Sequence, residues 1–447
     1  MRKHNGDNQP DFHFRPLNYL GSKLRLLDFI MDNVRCVTPD GAGVCDLFAG
    51  SGCVAYRMSS SFPVTACDIQ QYSMTICDAL LGNSKIPAIP VENLIASSRR
   101  SPIKELESIF RPLIDIENRA IEDKNITVLA DIVDFGSLEA YRAGRMKSSV
   151  SDAQRIVLKA IDSSGLSPRD TFISRHYGGV YFSYRQAVAI DMLLSTIRQI
   201  DSAPERTVLL ASLMSTASDI VDTVGKHFAQ PIKTRDRKGK LKTLVYSKAV
   251  KDKTIDVEDV YKAWVAAYST LPRGPFHNKT ICGDYAKCLV SLPENVSTVY
   301  ADPPYTRDHY SRFYHVLETI AIGDEPVIST VRIHGSTHLS NGLYRADRHQ
   351  SPFCIKSKGP EAFDSLFRLT ASRGCNLLLS YSPYDETKKT HPRVVTMFQL
   401  RTWAGKYFRN VDLVSAGHFV HNKLNSIEHK LESSGEAEML IVCTGAR

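Results

Sequence analysis

No stretch of the 447 residues approaches the roughly 18 to 20 consecutive apolar residues that a membrane-crossing helix needs, which excludes a helical membrane protein. The first ten residues, Met1 to Pro10, are polar with no apolar stretch behind them. No secretion signal is therefore expected, and the chain is expected to stay in the cytoplasm. Ten cysteines are present, yet none forms a Cys-x-x-Cys pair. Several sit in apolar, strand-like settings, such as Cys45 after Val44 and Cys443 after Ile441 and Val442, so reduced, buried thiols are expected. A fixed-period repeat and low-complexity tracts are also missing, which argues against a solenoid.

What remains has the composition of an ordinary globular protein, 43% hydrophobic and 23% charged. The length implies a large core plus at least one further unit. The net charge of +8 suits a polyanion-binding protein but is uninformative alone. Its distribution says more. Between Lys233 and Lys253 stand nine basic residues (Lys233, Arg235, Arg237, Lys238, Lys240, Lys242, Lys248, Lys251, Lys253) against Asp236 and Asp252, a local +7. In isolation such a run reads as a solvated loop; beside a nucleic-acid enzyme it reads as a phosphate contact.

Along the chain, a turn at Gly21-Ser22 leads into an apolar periodicity through Val34 that predicts a helix capped near Ser22. The run Gly43 to Phe48 ends abruptly at Ala49-Gly50-Ser51-Gly52, before helix-compatible Val54 to Met58. That pattern is strand, glycine turn, helix. Val64 to Cys67 is a second strand ending on Asp68, followed by a helix over Tyr72 to Leu81. Alternating strands and helices predict a parallel α/β sheet. Residues 85 to 275 then change to helix-period segments, including Arg185 to Ile200, Thr207 to Val224 and Val257 to Tyr268. Strand signals return at 280–284, 298–302, 376–381 and 439–443. The expected division is 1–84 and 276–447 as the two parts of one catalytic domain, with 85–275 as an inserted, mainly helical lobe.

Two features mark a ligand site. In a doubly wound sheet the ligand lies beyond the carboxyl ends of the strands, where a glycine turn admits it, and Asp46-Leu47-Phe48-Ala49-Gly50-Ser51-Gly52 stands at such a place. About twenty residues on, Asp68 can accept hydrogen bonds from both hydroxyls of an adenosine ribose. A third feature is Asp302-Pro303-Pro304-Tyr305, placed directly after the strand-like Val299-Tyr300-Ala301. Consecutive prolines cannot pair as a central strand and hold the loop stiff. Taken singly, each has a plainer explanation: a tight connection, a helix cap and a simple turn.

Their order along the chain is more specific. Asn18-Tyr19-Leu20-Gly21-Ser22-Lys23, the glycine turn, Asp68-Ile69 and Asp302-Pro303-Pro304-Tyr305 resemble, in sequence order, the motifs of the Dam-like (alpha-type) adenine-N6-specific DNA methyltransferases. The similarity continues through Tyr305 to His315 and into Leu377 to Ser382. It implies a Rossmann-like S-adenosylmethionine-dependent methyltransferase sheet, with S-adenosyl-L-methionine as cofactor and double-stranded DNA as partner; a cognate restriction endonuclease stays open as a second partner. By the same resemblance Tyr19, Gly21 and Lys23 contact the cofactor. Phe48, Gly50 and Gly52, with Asp46, shape its pocket, Asp68 with Ile69 holds the ribose, and Asp284 and Tyr285 stand by position where the adenine would be bracketed. It also places target recognition between Asp68 and Asp284, with Tyr177 to Ser183 and the basic run (Arg235, Arg237, Lys238, Lys240, Lys242) as candidates for DNA contact.

The residue types suit that chemistry. An adenine amino nitrogen is a poor nucleophile because its lone pair is delocalised into the ring; the Asp302 carboxylate and the Pro303 carbonyl can accept its two hydrogens. Pro304 stiffens the loop, and Tyr305 offers a face on which a base turned out of the duplex can stack. Positioning for in-line transfer needs no metal. Three other readings stand beside this one: an RNA adenine methyltransferase, a non-catalytic nucleic-acid-binding subunit of the same fold, and a dehydrogenase. The last is disfavoured because the glycine turn lacks the third glycine of a dinucleotide fingerprint.

Overall fold

The computed structural model describes residues 12–82, 90–101, 103–144, 148–306, 309–333, 335–382, 393–416 and 438–447. The polar decapeptide Met1 to Pro10 and the pair Arg307-Asp308 lie outside the described residues. Seven strands form the central sheet: β1 (Gly43–Asp46), β2 (Val64–Asp68), β3 (Lys279–Cys282), β4 (Val296–Ala301), β5 (Asn376–Tyr381), β6 (Phe408–Ser415) and β7 (Met439–Ala446). Their spatial order is β3-β2-β1-β4-β5-β7-β6. The first five are mutually parallel. β7 runs antiparallel between β5 and β6. The strand order reverses beside β1, the place where a doubly wound sheet opens a crevice at its carboxyl edge. This is the α/β sheet that the strand and turn signals predict, parallel apart from β7.

Period-two alternation decides which face each side chain takes. Val44, Tyr300, Leu378 and Val442 are buried on one face of the sheet. Cys45, Val299, Leu377, Leu379, Ile441 and Cys443 are buried on the other. The central strands are thus apolar on both sides, as helix layers on both faces require. The helices Tyr285–Val290, Gly359–Ser372 and Met397–Tyr407 cover the second face. On the first face lie α1 (Leu27–Val37), α2 (Cys53–Met58) and α3 (Gln71–Leu81), together with helices from the long middle segment.

That middle segment behaves in two ways. Its helices Tyr184–Ile197, Ala203–Ile220 and Val257–Ser269 contribute Ile190, Leu213, Met214, Tyr261 and Val265 to the same buried cluster as the sheet. The helices Leu106–Glu122 and Ser151–Ser164 instead build a cluster of their own around Phe110, Leu113 and Val157. Local chemistry starts these helices: Ser183 and Gln186 form a reciprocal capping box, and the Asp256 carboxylate accepts from the amides of Glu258 and Asp259. Among the described residues no helix is long and apolar enough to cross a membrane.

At the N-terminal end the helix begins later than the Gly21-Ser22 turn suggests. A short 3-10 turn over Leu24–Leu26 precedes α1, and Ser22 does not cap it. The segment is instead tied to distant parts of the chain. The Asn18 side-chain amide donates to the Ser218 carbonyl and the Asp219 carboxylate, both at 3.1 Å, and the Leu20 amide donates to the Tyr314 hydroxyl at 2.7 Å. These bonds place Tyr19 to Lys23 over the sheet.

Candidate active site

Beyond the carboxyl ends of β1, β2 and β4 lies a cavity of about 440 Å³. Tyr19, Gly21 and Lys23, Phe48, Asp68 with Ile69, Asp284 with Tyr285, and the whole of Asp302 to Tyr305 line it. Segments separated by more than two hundred residues therefore converge on one space. Asp46, Gly50 and Gly52 are not among the residues that line the cavity.

The glycine turn is shaped by what surrounds it. Gly50 has φ +53°, and a Cβ there would sit 2.6 Å from the Tyr19 hydroxyl. Gly52, at φ +74°, begins α2, and its Cβ would meet Leu80 at 2.9 Å. Both positions exclude a side chain on conformation and on space. The freed Gly50 amide donates to Oδ2 of Asp68 at 2.9 Å, while the Gln70 amide donates to Oδ1 at 2.9 Å. Two backbone donors thus fix the Asp68 carboxylate at the cavity wall. Burial raises the Asp68 carboxyl from its ordinary value, and those amides oppose the shift.

An aromatic slot adjoins Asp68. The rings of Phe48 and Tyr285 lie 6.3 Å apart and nearly parallel at 25°, and Phe353 meets both edge-on, at 5.4 and 5.0 Å. Phe353 has no sequence motif around it and only the fold brings it here.

Asp46, at the end of β1, is buried, and neither carboxylate oxygen has a hydrogen-bond partner of good geometry. Burial, then the charges of Asp302 and Asp68, push its carboxyl up to about 8; the amides of Ala55 and Phe48 offset part of that. It is a buried acid beneath the turn rather than a wall of the pocket.

Asp302 follows β4 directly, and its Oδ2 lies 2.9 Å from Nζ of Lys23. The same ammonium stands 3.4 Å from Oε1 of Glu438. Burial alone would lower Lys23, but Asp302 and then Glu438 outweigh it and hold the ammonium well above its ordinary value. For Asp302, burial raises the carboxyl to about 6 despite the opposing Lys23 charge, and Glu438 adds to the rise. Glu438 also accepts from Ser380 Oγ at 2.6 Å and from the Tyr305 hydroxyl at 3.4 Å. The Tyr305 ring packs against Tyr381 at a tilt, centroids 4.6 Å apart, and the Arg393 guanidinium lies 5.0 Å from its centroid. Sequence motifs do not reveal Glu438: it stands just before β7, and only antiparallel pairing of Met439 with Tyr381 carries it to the carboxyl edge of the parallel strands.

Of the candidate DNA contacts, the two sets part. Tyr177, Tyr181 and Phe182 are fully buried, with the Tyr181 hydroxyl donating to Phe228 and Gly342 carbonyls at 2.9 and 3.1 Å. Ser183 caps its helix. Those residues are core, a correction that burial imposes on the sequence reading. The basic run is itself divided. Arg235 to Leu241 form an ordered hairpin, in which Oδ1 of Asp236 accepts from the Lys238 and Lys240 amides at 2.8 and 2.9 Å. Arg235, Arg237, Lys238 and Lys240 are exposed there, and Lys242 is half-buried. From Leu244 the run is helical; Lys248 pairs with buried Asp252, and Lys253 is buried on Glu117 and the Gly179 carbonyl, each at 2.9 Å. Those two lysines are internal ion pairs.

Sheet order, glycine turn, Asp68 and the Asp302 loop together define a fold of the S-adenosylmethionine-dependent methyltransferase type. The family model of the D12 class of N6 adenine-specific DNA methyltransferases matches residues 19–124 and 245–348 of this chain. It is 26% identical over 376 residues to modification methylase LlaI of Lactococcus lactis subsp. lactis, a match covering 83% of this chain and 47% of that protein. It is likewise 26% identical over 376 residues to the type II methyltransferase M.FokI of Planomicrobium okeanokoites, covering 82% and 44% respectively. The chain thus spans about half the length of the curated relatives it matches.

Proposed function

We propose that this protein transfers a methyl group from S-adenosyl-L-methionine to the N6 amine of adenine in double-stranded DNA, as the modification partner of a cognate restriction endonuclease. The observation that carries the reading is the sharing of one cavity by the ionically held Asp302 loop and the Asp68 aromatic slot.

The residues fit the cofactor. Asp68, with both oxygens oriented by backbone amides, would take the ribose hydroxyls, and the slot of Phe48, Tyr285 and Phe353 would take the purine. The side-chain-free Gly50 keeps the turn close to Tyr19. When bound, the cofactor supplies an electrophilic methyl group on its sulfonium.

The protein's own contribution is electrostatic and positional. Lys23 occupies Oδ2 of Asp302, which leaves Oδ1 to accept a hydrogen from the adenine amine and to hold the proton that the amine sheds. The Lys23 charge keeps that carboxylate ionised against its burial. Tyr305, fixed by Tyr381 and Arg393, presents its ring to the extruded base. Residues 85–275, and within them the exposed hairpin at Arg235 to Lys242, would meet the duplex, and a DNA substrate would set the protein to work in the cytoplasm.

The test is transfer of labelled methyl from S-adenosyl-L-methionine to duplex DNA, with the product base identified by digestion and mass spectrometry. N6-methyladenine is expected from the wild type. Asp302→Ala is expected to bind cofactor normally and to lose at least about a hundredfold in transfer. Wild-type-like transfer by that variant, or label on RNA alone, would sink the proposal.

A further inference from the structure

Two arginines converge on one tyrosine at the rim of the cavity. The Arg348 guanidinium lies 4.7 Å from the Tyr344 ring centroid, and that of Arg312 lies 5.5 Å from it. Their chain neighbours, Ser311 and His349, line the cavity itself. The ring beneath them is fixed, because the Tyr344 hydroxyl donates to the Ala229 carbonyl.

Like charges gathered in this way call for an anion, and among the described residues the only acid acting on Arg348 is Asp347, which does not pair with it. Asp347 and, beyond it, Asp324 each commit both carboxylate oxygens to Arg345, at 2.7 to 3.1 Å. Among the described residues no carboxylate forms an ion pair with Arg312 or Arg348. Nε and Nη1 of Arg348 are buried and have no hydrogen-bond partner among the described residues. Burial, and then the neighbouring Arg312, hold the Arg348 guanidinium below its ordinary value. An aromatic face partly compensates two cations, but it cannot accept the in-plane N–H groups of a guanidinium. A tetrahedral phosphate oxyanion can, through the planar donor fork that arginine presents.

We infer that Arg312 and Arg348, seated on Tyr344, form a binding site for a backbone phosphodiester of the DNA strand that carries the target adenine. A base is extruded by rotation about its own backbone, so phosphates next to it must be held at the mouth of the cavity that receives it. Residues one position away from the cavity wall are placed for that. The site carries no sequence information; it sets register and steadies the strand while the base is out. This inference rests on DNA being the substrate.

The experiment measures binding of the full chain to a short fluorescein-labelled DNA duplex by anisotropy across a range of KCl concentrations. The wild type is compared with Arg312→Gln, Arg348→Lys and the double variant Arg312→Gln/Arg348→Gln. Loss of one phosphate contact should lower the slope of log Kd against log salt by about 1 in the double variant, with roughly tenfold weaker binding. Arg348→Lys keeps the charge and should keep the slope. Removing an unpaired, half-buried charge should leave the thermal midpoint unlowered; should the double variant not fold, exposed Arg312→Gln alone must still reduce the slope. A folded double variant with the wild-type slope overturns the phosphate site and leaves methylation intact. A wild type that neither binds duplex DNA nor forms N6-methyladenine overturns the proposed function and the site with it.

Discussion

Nζ of Lys23 stands 2.9 Å from Oδ2 of Asp302, although 279 positions separate the two residues in the chain. Both are largely removed from water, and Glu438 makes the ammonium the centre of a triad with one positive and two negative groups. The sequence reading gives Lys23 to the cofactor and Asp302 to the base. The geometry joins them, so that the residue expected to touch the cofactor also sets the charge of the residue expected to touch the adenine.

A dependence on pH follows. If Asp302 accepts the proton of the amine as proposed, it must be ionised; its carboxyl is pushed up to about 6, so kcat should fall as pH drops through about 6. Lys23 opposes the rise caused by burial. Lys23→Met removes that opposition, leaves Glu438 beside Asp302, and should move the acid limb of the kcat profile to higher pH. An unmoved limb with only a raised cofactor KM would show that Lys23 binds cofactor and nothing more.

Gly50→Ala should fold, because the strain is local, but should weaken cofactor binding by about tenfold or more. A methyl group at this left-handed position meets the Tyr19 hydroxyl at 2.6 Å and displaces either the ring or the amide that orients Asp68. Isothermal titration with S-adenosyl-L-methionine reads the loss; wild-type affinity would contradict the close approach.

Asp46 makes stability depend on pH in a particular direction. Its folded-state carboxyl is raised to about 8 from 3.8, so the folded protein holds a proton that the unfolded chain has released. The associated stability is fully present below about pH 4 and is lost as pH rises towards 8. Asp46→Asn, which cannot ionise, should raise the thermal midpoint near pH 8 and flatten its decline between pH 6 and 8. Parallel midpoint curves for the two proteins would refute the assignment.

The divided basic run gives opposite outcomes for lysines only a few residues apart. Neutralising Lys238, Lys240 and Lys242 should weaken DNA binding and flatten its salt dependence with no change in the thermal midpoint. Lys253→Met leaves Glu117 buried without its cation, and should destabilise the fold by about 3–5 kcal/mol with the salt slope of the surviving folded protein unchanged. Denaturation and salt-titrated anisotropy separate the two; a DNA-specific defect in Lys253→Met would reverse the assignment.

Much of this protein follows from local sequence. Strand positions are legible because apolar, β-prone runs end at turn residues, and the glycine turn is legible because only glycine accepts φ +53° and +74° with Tyr19 and Leu80 so close. The Asp302 loop is legible because two prolines can follow a strand but cannot continue it. What the sequence could not decide is anything that depends on direction or on a partner distant in the chain. Glu438 reaches Asp302 only because β7 is antiparallel, which reverses the end of the strand on which its flanking residue falls. Tyr177 to Ser183 look like an exposed aromatic and glycine-rich contact, yet they become core because Phe228, His315 and Leu343 close over them. Nor does a charge run distinguish Lys238 from Lys253, since that difference lies in whether an acid such as Glu117, 136 positions away, folds against it. Periodicity and turn chemistry are short-range properties written residue by residue; burial and ion pairing are sums over neighbours that exist only once the sheet has set its order.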